Sequence, residues 1–330
     1  MRIYLAGERS SIATAAAVRG HDSEDAEMLW AQRVRRRLFS YYYHGYAGAA
    51  SLRDPETGLS VEIIDAKRRD WDLFLDSGAF TAKTKNVHIP TWAFAEYVKL
   101  TQDLWTVVSS LDTIGSGEQA ARASYQTFVK LRSLGVRVQP VWHVREPEQA
   151  LSRYLDEGCD YIFIGGMVTE PFSWLQWRLD TVWSAHLTNP DGTPKVKVHG
   201  FGLTNIQLLF RYPWYSVDST SWLKDGVNGC CLLRNPETSE LRKYFFDEQS
   251  LSKRKSPHYR ELGPYGQRII DQCLETYGVT AEQLARHYLF RDVVNAAAYQ
   301  SLEDLGTDRF VIKTNGRYKN ILRLFCAGFM

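Results

Sequence analysis

Six short segments end in residues able to do chemistry: "LDSGAF" at Asp76, "SSLDTIG" at Asp112, "PVWHV" at His143, "FIGGMVTE" at Gly165 and Gly166, "HGFGLTN" at Gly200 and Gly202, and "SVDSTSW" at Asp218. Three supply a carboxylate, one an imidazole and two a glycine turn. In each, apolar residues give way abruptly to polar ones, as where a buried strand emerges and hands the chain to a loop. Singly, each has an ordinary structural explanation. An aspartate after a strand caps a turn or helix, a glycine answers to backbone geometry, and a lone histidine is packed and hydrogen-bonded. Converging on one edge, they suit glycosyl transfer, in which one carboxylate attacks carbon and another moves protons. Glycine turns admit a flat base to the backbone, and Phe80 and Trp142 offer faces on which it can stack.

These ends must be positioned by the elements before and after them. Apolar runs at Ile3 to Ala6, Leu38 to Tyr43, Leu73 to Leu75, Thr106 to Leu111, Val136 to Trp142, Tyr161 to Ile164, Val196 to Val198 and Tyr215 to Val217 read as strands. Helix-like segments lie between them: Trp92 to Leu104, Gly117 to Ser133, Pro147 to Glu157, Phe172 to His186 and Asn205 to Phe210. About eight alternations in some 220 residues match an α/β fold of the (β/α)8 TIM-barrel kind, in which every strand end reaches one rim. The rival, an open doubly wound sheet, would carry a G-x-G-x-x-G turn after the first strand, and "YLAGERSS" supplies none. Beyond residue 245 the pattern changes to Gln267 to Tyr277 and Ala281 to Gln300. The expectation is a barrel domain over residues 1–245 and a small C-terminal helical appendage over 246–330.

Composition narrows the class. In 330 residues, 44% are hydrophobic and 24% charged, ordinary for a folded globular chain. Forty Lys and Arg against 38 Asp and Glu leave a net charge of +2, so a nucleic-acid partner must be met by local patches. No apolar run reaches the roughly 18 residues a membrane span needs, and the N-terminus lacks an export core. The five cysteines, Cys159, Cys230, Cys231, Cys273 and Cys326, form no C-x-x-C or C-x-C pair. The eight histidines form no H-E-x-x-H. No disulfide framework, metal site or cofactor is expected, and the cytoplasm of a bacterial cell is the expected location.

The order of the motifs, D-S-G-x-F, a strand-end Asp, a polar strand end, G-G-x-V-x-E, G-x-G and a last strand-end Asp, resembles the tRNA-guanine transglycosylase superfamily. Over roughly residues 70 to 222 it is most similar to the phage and bacterial enzymes that insert 7-deazaguanines into DNA. That resemblance implies a proton-transferring role for Asp76, followed by the loop residues Ser77 and Gly78, with Ala79 and Thr81 where the family commonly has glycine and glutamine. It implies that Asp112 reads the purine's Watson–Crick edge, that Gly165 contacts the base through its backbone, and that Glu170 closes that motif. His143 stands where the family usually has glutamine. Asp218 matches the nucleophile. Phe80, Gly166, Gly200 and Gly202 complete the expected base pocket. The zinc-binding C-x-C-x-x-C of the family's tRNA enzymes is missing after Asp218, which favours DNA over tRNA.

The implied activity exchanges guanine in DNA for a 7-deazaguanine such as preQ0 through a covalent glycosyl-enzyme. Alternatives are a tRNA-guanine transglycosylase, a non-catalytic nucleic-acid-binding paralogue, and an unrelated barrel hydrolase acting on a small sugar or nucleoside. Three basic runs are candidate phosphate contacts: "RVRRR" with Arg35 and Arg36, "KRR" with Lys67 and Arg68, and "SKRKSPHYR" with Lys253, Arg254 and Lys255.

Overall fold

Eight short strands alternate with helices along the first two thirds of the chain: β1 (Arg2–Ala6), β2 (Arg36–Ser40), β3 (Asp72–Asp76), β4 (Val107–Val108), β5 (Val141–His143), β6 (Tyr161–Gly165), β7 (Lys197–Gly200) and β8 (Ser216–Ser219). The computed structural model describes residues 1–7, 21–48, 53–203, 205–237, 241–248 and 256–303, with the backbone of 311–314 and 317–320. The strands form one sheet in the order β4-β3-β2-β1-β8-β7-β6-β5, and each neighbouring pair is parallel. A parallel bridge between Ser109 and Gln139 joins the two ends. There the Ser110 N–H donates to Gln139 O at 2.8 Å and the Gln139 N–H to Val108 O at 2.9 Å. The fold is therefore the expected (β/α)8 barrel, with helices in the C-terminal region.

Alternation along each strand explains both the core and the rim. Tyr4, Ala6, Leu38, Phe74, Val107, Val141, Tyr161 and Phe163 form one buried cluster. Within a strand, residues two apart share a face. Hence Asp76 follows Phe74, Ser109 follows Val107, His143 follows Val141 and Gly165 follows Phe163, each one step further toward the C-terminal end. The opposite end is closed by charge. Asp72, first in β3, receives Arg2 at 3.1 Å, Arg36 at 3.3 Å and the Tyr4 hydroxyl at 3.0 Å.

The flanking helices follow the apolar spacing. In the helix Gly117–Ser133 the buried positions are Ala120, Ala121, Ser124, Phe128 and Leu131, a one-sided stripe. Boundaries shift where the backbone tightens. The helix expected to reach His186 runs Phe172–Val182 and closes in one wide turn, Trp183–Leu187. The strand expected to reach Tyr43 stops at Ser40, and the chain turns through Tyr42–Tyr46. Short helices at Val61–Arg68 and Ala79–Thr84 were not expected.

The chain divides into two units, the barrel (1–6, 35–219 and 308–321) and a second unit (7–34, 220–307 and 322–330). The second unit thus draws on the segment between β1 and β2 and on residues after β8. It contains the helices His21–Arg33, Ser221–Val227, Pro264–Tyr277, Ala281–Arg286 and Tyr288–Ser301, and an antiparallel pair, Cys230–Arg234 with Leu241–Phe245. The single helix expected from Ala281 to Gln300 breaks at His287, after a capping box in which Thr280 and Gln283 satisfy each other's backbone. Its core joins Leu233, Phe246, Ile270, Cys273, Leu274, Leu284, Phe290 and Val294. Asn295 bonds the strand as a neighbouring strand would, accepting from Leu232 N–H at 2.8 Å and donating to Cys230 O at 2.9 Å.

Candidate active site

β3 delivers Asp76 to the rim, and the turn behind it fixes the side chain. Asp76 Oδ2 accepts from the Gly78 N–H at 3.0 Å, and Oδ1 accepts from the Ser109 hydroxyl at 3.3 Å. The Ser77 N–H donates in turn to Ser109 Oγ at 2.9 Å. Gly78 has φ +75°, and a Cβ there would lie 2.5 Å from Tyr42 Cβ and 2.8 Å from Tyr42 N. Only glycine accepts both the left-handed backbone and the close neighbour. Burial, then repulsion from Asp112 and Asp218, push the Asp76 carboxyl up to about 7 against the bonds from Gly78 and Ser109. A carboxyl in that range can both give and take a proton near neutrality.

Beside it, Asp112, His143 and Glu146 form a buried clamp. His143 Nε2 lies 2.9 Å from Asp112 Oδ2, and Nδ1 lies 3.5 Å from Glu146 Oε1. Glu146 Oε2 also accepts from the His143 backbone N–H at 3.2 Å, and Ser77 Oγ donates to Asp112 Oδ1 at 3.4 Å. Burial alone would hold the imidazole neutral, but the two carboxylates outweigh it and raise its pKa to about 10. His143 is therefore an imidazolium held between two anions. Gly165 makes room for it, because a Cβ there would meet the ring at 2.5 Å from Cδ2 and 2.9 Å from Nε2.

Across the rim, β8 presents Asp218. Its Oδ1 accepts from the Gly202 N–H at 2.8 Å and faces His199 Nε2 at 3.2 Å. His199 is fully buried, and its Nδ1 lies 2.6 Å from Ser216 Oγ, which lies 2.5 Å from the Tyr161 hydroxyl. Burial lowers the His199 pKa despite the neighbouring Asp218. Gly200 packs against the Trp214 ring, and Gly166 lies against His143 and Val144.

The structure thus gathers Asp76, Ser77, Gly78, Asp112, His143, Gly165, Gly166, Gly200, Gly202 and Asp218 at the C-terminal ends of the barrel strands. Phe80 stands 63% exposed on the helix Ala79–Thr84. Trp142 does not belong to the site. It points outward from β5, fully buried, with Nε1–H donating to Pro147 O at 3.1 Å and the Arg178 guanidinium over its ring. Glu170 is held by Arg145 through two bonds, and Arg145 covers Trp174 at 4.7 Å. Ser109, Glu146 and His199 are site residues that sequence reading did not single out.

Two basic runs lie away from this rim. Arg36 pairs with Asp72 at the N-terminal ends of the strands, and the neighbouring Arg35 is exposed. Lys67 and Arg68 end the helix that leads into β3, so they too belong to the end remote from Asp76. Lys253, Arg254 and Lys255 lie outside the described residues. Among the described residues no group of three His, Cys, Asp or Glu is arranged to hold a metal ion, and no helix is long and apolar enough to cross a membrane.

No family model and no curated protein matches the chain. Among solved structures, it is similar to the YdjI aldolase from Escherichia coli K12, with 10% identity and a TM-score of 0.28, covering 85% of this chain and 93% of that one. A likeness that distant carries no functional argument, and the functional reading rests on the rim.

Proposed function

We propose that this barrel is a guanine transglycosylase that exchanges guanine in DNA for a 7-deazaguanine such as preQ0. The observation that carries the reading is the pairing, on one rim, of a carboxyl poised near neutrality, Asp76, with a carboxylate anchored by a single oxygen, Asp218. Such a pair suits nucleophilic substitution at an anomeric carbon with proton transfer to the leaving group.

In this mechanism Asp218 Oδ2 attacks C1′ from the face opposite the base. The C1′–N9 electron pair leaves on the guanine, which takes the Asp76 proton. The incoming 7-deazaguanine returns a proton to Asp76 as its N9 attacks C1′ and releases Asp218. Two inversions give net retention, and Asp76 ends as it began. The imidazolium of His143 holds Asp112 at the rim, where its carboxylate would accept from a purine's N–H groups. A base in duplex DNA must be flipped out to reach the rim, at a cost of a few kcal/mol.

The test incubates the protein with a guanine-containing DNA oligonucleotide and preQ0 and resolves the digested nucleosides by mass spectrometry. The expected result is a deoxynucleoside carrying the 7-deazaguanine, equimolar free guanine and an unbroken strand. Release of guanine with an abasic site, whether or not preQ0 is present, would make the protein a hydrolase. Exchange on tRNA alone would overturn the choice of DNA.

A further inference from the structure

His199 is the least accessible titratable side chain of the site, and both its nitrogens are engaged. Four aromatic rings enclose it: Tyr4 at 6.4 Å, Phe74 at 4.7 Å, Phe163 at 5.2 Å and Phe201 at 4.7 Å between centroids. We infer that Tyr161, Ser216 and His199 form a proton-ordered chain through the barrel interior that pins Asp218 by Oδ1 and leaves Oδ2 as its attacking atom. The inference deepens the transglycosylase reading and rests on it for the word attacking; the ordering of the chain stands without it.

The order of the protons follows from what each group can do. A carboxylate oxygen only accepts, so the 3.2 Å contact requires the proton on His199 Nε2. A neutral imidazole then has only an acceptor at Nδ1, which must take the Ser216 hydroxyl hydrogen across 2.6 Å. Having donated, Ser216 Oγ accepts from the Tyr161 hydroxyl at 2.5 Å. Burial raises the Tyr161 pKa, so that hydroxyl keeps its hydrogen. Burial in the aromatic cage likewise favours the neutral imidazole.

The consequence falls on one oxygen. The His199 Nε2–H and the Gly202 N–H both address Asp218 Oδ1, and among the described residues Oδ2 receives no hydrogen bond. Two donors at one oxygen fix the carboxylate plane and draw density from that oxygen, while the other keeps its lone pairs for carbon. Holding a nucleophile in its reactive orientation is a positional effect, and its loss costs on the order of 10²-fold in rate. His199, Ser216 and Tyr161 are accordingly positioning residues.

The chain is tested by 15N NMR of histidine-labelled full-length protein and by single-turnover kinetics. In the wild type His199 should give the signature of the neutral Nε2–H tautomer, and Ser216→Ala should move its Nδ1 signal to that of an unbonded nitrogen. An imidazolium, an Nδ1–H tautomer or an Nδ1 signal indifferent to Ser216→Ala would overturn the inference. His199→Phe, which suits the cage but cannot donate, should slow formation of the protein–DNA adduct by on the order of 10²-fold with DNA affinity unchanged. His199→Gln, which can donate and accept, should recover part of the rate. A folded His199→Phe variant with wild-type adduct formation would remove the chain from the mechanism. If the wild type forms no adduct, the transglycosylase reading fails while the NMR still decides the proton order.

Discussion

The rim holds two histidine–carboxylate pairs of comparable burial, one imidazole charged and the other neutral. His143 lies between Asp112 and Glu146 and is driven up to about 10, whereas His199 lies between Asp218 and a serine hydroxyl and is driven down. The difference is the second partner. Two anions offset the desolvation of an imidazolium, and one anion with a hydroxyl inside an aromatic cage does not. In the proposed reaction Asp112, facing a cation, would serve as a fixed acceptor, while Asp218, facing a neutral donor, would keep its charge available to carbon.

The largest expected effect breaks the Asp218 side. Asp218→Asn should abolish base exchange while thermal unfolding remains cooperative, because an amide cannot form the glycosyl ester. Residual exchange near the wild-type rate would move the nucleophile elsewhere.

Next comes Asp76, poised between the two pairs. Asp76→Asn should lower turnover by roughly 10²- to 10⁴-fold, the usual contribution of general acid–base catalysis. In the proposed mechanism adduct formation needs the protonated acid. Since burial raises the Asp76 pKa to about 7, the wild-type rate of that step should fall as pH rises through about 7. The Asn variant should lack that fall. A wild-type profile flat from pH 5 to 9 would remove Asp76 as the donor.

Glu146→Gln sharpens the comparison by making His143 resemble His199. Because the folded pKa of His143 lies above its unfolded value, its stabilisation is complete below about 6.5 and is lost as pH rises through about 10. Removing one of its two anions should lower that pKa and cost about 1 to 3 kcal/mol at pH 7. The cost should shrink above pH 10, where His143 is neutral in both proteins. Histidine NMR titration and urea melts at pH 7 and 10.5 check both. An unmoved His143 titration would mean that Asp112 alone holds the cation.

The smallest effect concerns affinity. Replacing Lys253, Arg254 and Lys255 with alanine should weaken DNA binding similarly across sequences and flatten its salt dependence, leaving the chemistry of bound substrate unchanged. Unaltered affinity and salt slope would take the DNA path off that segment.

The barrel was legible because each strand is a short apolar run that ends in a polar or glycine turn, and because helix stripes such as Ala120 to Leu131 repeat with helical spacing. The strand-end aspartates were legible for the same reason. His199 and Ser109 were not, since each follows apolar residues and reads as part of a strand. Only the lateral pairing of β3 with β4 and of β7 with β8 brings Ser109 to Asp76 and His199 to Asp218. Glu146 was hidden in a surface-like "VREPEQ", yet it is buried against His143. Trp142 was misplaced although alternation held the answer: with Val141 and His143 facing inward, the residue between them faces the helices. Residue type alone does not distinguish the two ends of a barrel, so the place of Arg36, engaged by Asp72 at the end remote from Asp76, was not legible.

The proposed reaction passes through a covalent bond between Asp218 and a deoxyribose C1′. The most direct measurement traps the protein on guanine-containing DNA without an incoming base, digests the denatured complex and maps the modification by tandem mass spectrometry. A glycosyl ester on the peptide containing Asp218, absent from Asp218→Asn, is the expected result. A modification on another residue, or guanine release with no adduct under trapping, would contradict it.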